Sequence, residues 1–304
     1  MRVLGGVLAA VAVAVGVLVA GPVGLASASV TMESSPGGTT TNNTTPSFSG
    51  TTTELTAPVT VKIYKGETTS GTQERELTSE SPLLSGTWSV TTSPALEEGT
   101  YTAIAEQAEL VGPPSVSGPV TFTIITAPPT VTLSGPPSLS NNTKPTFSGK
   151  ASDHTEVVVH IRNAANEQVA TATATPGGGS WSTSSESELG GGDYHAYATQ
   201  ESSLGNAEGV SNEVHFTIST ASPTVTLSGP PSVSNNTKPT FSGKASDHTE
   251  VVVHIRNAAN EQVATATATP GGGSWSTSSE SELGSGDYHA YATQESSLGN
   301  AEGV

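Results

Sequence analysis

Three histidines, His160, His195 and His215, fall at outward positions of segments that alternate apolar and polar residues. Three imidazoles on one sheet face form a ligand set for zinc, nickel or copper, provided that strand register brings them together. A divergent earlier copy of the same sequence holds Lys62, Thr102 and Thr121 in the matching places. That favours three solvated side chains over a metal site. Asp153-His154 beside many serines has the residue types of nucleophilic hydrolysis, but the chain contains no Gly-x-Ser-x-Gly elbow. Two adjacent turn residues do not by themselves orient a triad. Lys144, Lys150 and Asn141, with Glu156 as the acid, have the types needed for a Lys–Asn isopeptide bond, yet outward lysines beside a turn read as ordinary surface. Trp88, Trp181 and Trp275 are candidate sugar platforms, but each sits in a short strand where inward packing is expected. Tyr197 and Tyr291 alternate outward and are better placed for that role.

The chain has no cysteine, which removes thiol catalysis, disulfides and thiolate-bound metals together. Its formal charge is −17, from 27 acidic and 10 basic residues, so it offers no basic surface to neutralise phosphates and nucleic acid is excluded as a partner. Only Asp153, Asp193, Asp247 and Asp287 are aspartates, too few and too scattered to signal calcium cages. No catalytic, cofactor-binding or metal-binding residue is therefore assigned, and the chain is not expected to be an enzyme.

The elements that must position these residues are strands. Residues 129–210 recur as 223–304 with only Leu139 changed to Val233 and Gly191 to Ser285. Within the first of these copies, seven strands are expected at Thr130–Leu133, Pro145–Lys150, Glu156–Arg162, Gln168–Thr175, Ser180–Ser184, Tyr194–Gln200 and Glu213–Ser219. Gly135-Pro136-Pro137 and Pro176-Gly-Gly-Gly179 punctuate them, and no long helical pattern follows residue 28. Phe147, Val159, Ile161, Trp181, Tyr194, Ala196, Ala198, Val214, Phe216 and Ile218 alternate inward and are the expected core. Tyr194, just after a Gly-x pair at a strand start, reads as a tyrosine corner, as do Tyr101 and Tyr288. The architecture expected is all-β, with two-sheet sandwiches strung in tandem into a rod.

The earlier copy aligns through Phe48-Ser-Gly50, Trp88, Gly99-Thr-Tyr101 and Phe122-Thr-Ile124. The domains expected are 29–126, 127–220 and 221–304, the last lacking the counterpart of the Glu213–Ser219 strand because the chain stops at Val304 inside a repeat. That places a core gap and an open sheet edge in the third domain. Residues 1–28 read as a signal peptide: Met1-Arg2, an apolar run from Val3 to Ala20, then Ala26-Ser27-Ala28. The run is also about the length of a membrane helix, and an uncleaved 1–28 would be the only membrane contact.

Pro-Thr-Phe-Ser-Gly, an alternating Val/Ile strand, Trp, Gly-Asp-Tyr-x-Ala-x-Ala-x-Gln and a closing Val-x-Phe-x-Ile resemble the bacterial immunoglobulin-like domains carried in tandem by exported, cell-surface proteins. Many such domains have Asp where Gln200 stands here, while Gly205-Asn206 and Gly299-Asn300 follow as in the family. The resemblance implies immunoglobulin-like sandwiches, a secreted or cell-surface location and no shared active site. With a bacterial source implied, the sequons at Asn42, Asn43, Asn141 and Asn235 read as chance. The function expected is a spacer or display stalk. The alternatives are adhesion, with a cell-surface glycan or protein as partner, and an accessory region of an extracellular enzyme.

Overall fold

A computed structural model describes residues 29–33, 40–80, 85–110 and 112–304; the expected signal peptide lies outside the described residues. The chain forms two compact units, Met1–Ile125 and Thr126–Val304, the second holding two sandwiches. All regular elements among the described residues are strands.

In the first unit, β1 (Thr40–Thr41), β2 (Ser47–Thr51), β3 (Val59–Lys65), β4 (Gln73–Thr78), β5 (Thr87–Thr91), β6 (Gly99–Gln107), β7 (Ser115–Val116) and β8 (Val120–Ile124) build two sheets. One is the pair β2–β5; the other runs β1-β8-β6-β3-β4, with β7 also on β6. Period-two alternation makes this possible: Val59, Val61 and Ile63 of β3 are all fully buried, while Thr60, Lys62 and Tyr64 between them are not.

The second unit repeats the plan. Its first sandwich comprises β9 (Leu139–Ser140), β10 (Thr146–Lys150), β11 (Val157–Asn163), β12 (Gln168–Ala174), β13 (Ser180–Ser184), β14 (Gly192–Gln200), β15 (Gly209–Val210) and β16 (Val214–Ile218). β10–β13 faces the sheet β12-β11-β14-β16-β9. Phe147, Val159, Ile161, Trp181, Ala196, Ala198, Phe216 and Ile218 are buried as expected, joined by Val131, Leu133, Val157, Ala170, Ala172 and Leu189. Tyr194 and Val214 are only half-buried, packed against that cluster from its margin.

One expected strand takes a different form. Thr130–Leu133 is an irregular edge, bonded to β10 through Thr132 N–H to Lys150 O and Ser134 N–H to Ser148 O. The chain then leaves that sheet at Pro136-Pro137, whose nitrogens have no hydrogen to donate to a ladder. Leu139–Ser140 joins the opposite sheet, parallel to β16.

The second sandwich of this unit has β17 (Thr240–Lys244), β18 (Val251–Asn257), β19 (Gln262–Ala268), β20 (Ser274–Ser278) and β21 (Tyr288–Gln294). Its sheets are β17–β20 and β19-β18-β21. Among the described residues, β21 has a strand partner on one side only, apart from the bridge between Gln294 and Gly303.

Candidate functional site

The outward face of β11 and β14 gathers most of the chemistry-bearing side chains. Antiparallel register sets His160 opposite Tyr197 and Arg162 opposite His195. His160 stacks on Tyr197 with ring centroids 4.9 Å apart. The Arg162 guanidinium lies 5.5 Å from the same ring centre and donates to the Tyr197 hydroxyl at 3.1 Å. A bulge in β12 beside Arg162 brings Gln168 to the His160 Nδ1 at 2.9 Å, while Thr199 Oγ1 meets Nε2 at 3.1 Å. At the β11–β12 turn, Asn166 adopts a positive φ of 63°, a conformation that Asn tolerates better than most residues. Its Oδ1 accepts from Arg162 and lies 3.2 Å from His195 Nε2.

The three histidines do not converge. His195 and His215 are register partners with ring centroids 5.8 Å apart, but His160 is one pleat repeat along β14 and engaged with Tyr197. No group of three or more His, Cys, Asp or Glu among the described residues is placed to hold a metal ion. The third domain repeats the arrangement with His254, Tyr291, Arg256, Gln262, Thr293 and Asn260. In the first domain Lys62 and Glu106 form an ion pair at 2.5 Å in the places of His160 and Thr199, and Ile104 replaces Tyr197. The hydrogen bond to Glu106 raises the Lys62 ammonium above its usual range.

Beside this ladder lies a groove of about 560 Å³, lined among others by Glu156, His160, Tyr197, Glu201 and Glu208. The hydroxyl in its lining that meets an imidazole is that of Thr199, 3.1 Å from His160 Nε2. Tyr197 is already packed against His160 and Arg162, so it is not a free stacking platform.

Asp153 and His154 have a structural role. The Asp153 carboxylate accepts from the Ser203 N–H at 2.8 Å, the Ser203 hydroxyl at 2.9 Å and the His154 N–H at 2.7 Å. His154 Nδ1 lies 3.1 Å from the same carboxylate, and its ring is largely exposed. Serine and histidine thus both bind the aspartate, whereas a proton relay needs the histidine between the other two. Burial alone would raise the Asp153 carboxyl, but the donors from Ser203 and His154 outweigh it and hold the group below the usual range. At Asp247 the Ser297 N–H is the main influence, opposed by burial, and the direction is the same.

Gln200, at the position where the family often has Asp, is fully buried and donates both amide hydrogens, to Asp153 O at 2.9 Å and Thr155 O at 3.0 Å. Strand alternation alone does not show this job. The signal available was a buried-face glutamine recurring as Gln107, Gln200 and Gln294. Asn206 and Asn300, from the loop after that strand, donate to Ala127 O and to Ser219 O and Ala221 O. Each therefore holds the segment that enters its own domain.

The remaining candidates are structural. Trp88, Trp181 and Trp275 are buried, and their indole N–H groups donate to Thr31, Lys150 and Lys244 carbonyls. Tyr101, Tyr194 and Tyr288 donate to the carbonyls of Glu97, Gly190 and Gly284, four residues back, as a tyrosine corner requires. Lys150 is exposed and donates to Ser180 Oγ at 2.7 Å across the sheet, not to an asparagine.

Among solved structures the chain is similar to a tetra-tandem repeat in the extending region of a large adhesion protein, at 21% identity over 91% of this chain and 71% of that one, with a TM-score of 0.34. It is also similar to an I-band fragment of titin, at 12% identity over 90% and 94% with a TM-score of 0.38. The FN1–FN3 domains of chicken CNTN1 match at 15% identity over 90% and 94%, with a TM-score of 0.31. No curated protein matches the chain in sequence. The family model for the bacterial Ig-like domain matches three times, over residues 23–126, 134–220 and 227–304, the described residues of each forming one two-sheet sandwich, and the chain belongs to that family.

Proposed function

We propose that this non-catalytic, extracellular tandem Ig-like module serves as a spacer or display stalk at the cell surface, entering the export route through residues 1–28. One observation carries the reading: the polar side chains that could do chemistry are bonded to their own domain, and the same bonds recur in the second and third domains. Asp153 with Ser203 is repeated as Asp247 with Ser297, and the His160–Tyr197–Arg162 ladder as His254–Tyr291–Arg256. A duplicated, self-bonded surface supports a role that scales with the number of domains.

The test is to display chains with one, two or three domains on a cell and measure antibody access to an N-terminal tag. Access that rises with domain number, and is unchanged in a Tyr197→Ala, Tyr291→Ala chain, supports the proposal. Access independent of number overturns it.

The groove between Glu156, Tyr197, Glu201 and Glu208 favours a second reading, adhesion to a cell-surface glycan or protein. Retention on cells or polysaccharide that is lost when Glu201 and Glu208 become alanine would establish it. Retention unaffected by those changes would place adhesion elsewhere.

A further inference from the structure

His195 and His215, on the outward face of β14 and β16, stand directly opposite each other in antiparallel register. Their ring centroids are 5.8 Å apart and the ring planes are inclined by 34°. Cross-strand partners hold their Cβ atoms about 5 Å apart, close enough for two imidazoles to share one ion. The His215 side chain is 75% exposed, so the pair is open to solvent.

The neighbours of the two rings fix which nitrogen carries the hydrogen. Asn166 Oδ1 accepts from the Arg162 guanidinium at 3.3 Å, so the oxygen of that amide is what meets His195 Nε2 at 3.2 Å. Glu213 Oε1 lies 3.0 Å from His215 Nε2. An amide oxygen and a carboxylate only accept, so both rings present Nε2–H to them, and in the neutral imidazole Nδ1 keeps the lone pair. A metal-ligating histidine is oriented in this way, its second nitrogen donating to a carboxylate or carbonyl oxygen. His160 differs, because Gln168 and Thr199 occupy both of its nitrogens. Two carboxylates flank the pair on the same face: Asp193 two residues before His195, and Glu213 two residues before His215. The nearest cation, Arg162, is turned to the Tyr197 hydroxyl and to Asn166.

We propose that His195 and His215 form a two-histidine chelate for a divalent late transition metal, Cu2+ above all, through their Nδ1 atoms, with water completing the coordination sphere. Imidazole nitrogens suit Cu2+, Ni2+ and Zn2+, and Cu2+ heads that series in affinity. A structural zinc site takes four protein ligands, which no group among the described residues supplies. The bound ion ties β14 to β16 across the sheet, with Asn166 and Glu213 as the positioning residues that hold the two rings.

The experiment titrates the full chain with Cu2+ in a non-coordinating buffer slightly above neutral pH, read by calorimetry and by electron paramagnetic resonance. The expected result is a saturable step whose spectrum shows two equatorial nitrogens, lost in His195→Ala and equally in His215→Ala. His154→Ala, which removes an exposed imidazole from a turn, should leave the step unchanged. Glu213→Ala should weaken it about tenfold or more while the two-nitrogen spectrum is retained. Both histidines lie on the outward face, so the metal-free variants should melt with the native chain, and loss of the step then reads as loss of chelation. Absence of a saturable step, a step that survives either single histidine substitution, or a spectrum with one nitrogen would each overturn the proposal.

Discussion

Gly149 faces inward beside Trp181, its cross-strand partner, and a Cβ there would land on the Thr132 carbonyl oxygen and 2.8 Å from Trp181 Cζ2. Gly50 and Gly243 stand in the same vice. Because one neighbour is backbone, it cannot swing away. Gly149→Ala should therefore destabilise its domain by about 1–3 kcal/mol, measurable as a lowered urea midpoint. Gln200 points to a gain instead. In the first domain the Gln107 Oε1 accepts from the Thr52 hydroxyl, but Ala151 stands at that place in the second domain and Gln200 Oε1 is buried without a partner. Ala151→Thr should supply the donor and raise stability by about 1 kcal/mol; a lower melting temperature would show that the site has no room for it. The Asp153 and Asp247 staples predict a pH dependence. Their folded pKa values lie below the unfolded value of about 3.9, so their contribution is full above that pH and is lost as pH falls through the lower folded value. Between pH 7 and pH 2 the native chain should lose more stability than an Asp153→Asn, Asp247→Asn chain; equal losses would remove the staples from the account.

The strands themselves were legible because a half-buried sheet imposes period two on the sequence, and Val157, Val159 and Ile161 obey it. β9 was not legible: two residues beyond a Pro-Pro pair carry no period, and only the parallel edge of β16 makes them a strand. The linker holds by Asn206 and Asn300 were equally hidden, since their acceptors lie about 80 positions earlier in the chain. β14 is paired on both sides, with β11 and with β16, whereas β12 is an edge strand of the same sheet, so the amides of β14 should exchange with deuterium more slowly than those of β12. Equal protection would contradict that strand order.

At the scale of the whole molecule the repeat makes each sandwich its own core, with Phe48, Phe147 and Phe241 buried in three separate apolar clusters. A spacer made of such units predicts that deleting residues 127–220 leaves the flanking domains folded and shortens the maximum dimension seen by solution scattering. An unchanged dimension would count against the spacer reading. The sequence by itself determined the all-β sandwiches, the inward tryptophans, the tyrosine corners and the absence of cysteine chemistry, because each depends on local period, spacing or composition. Tertiary structure decided what the exposed histidines, Asp153, Gln200 and the Gly-Asn loops do. Register separates His160 from His195 and His215, and distant strands bring Ser203 to Asp153, contacts that no local pattern encodes.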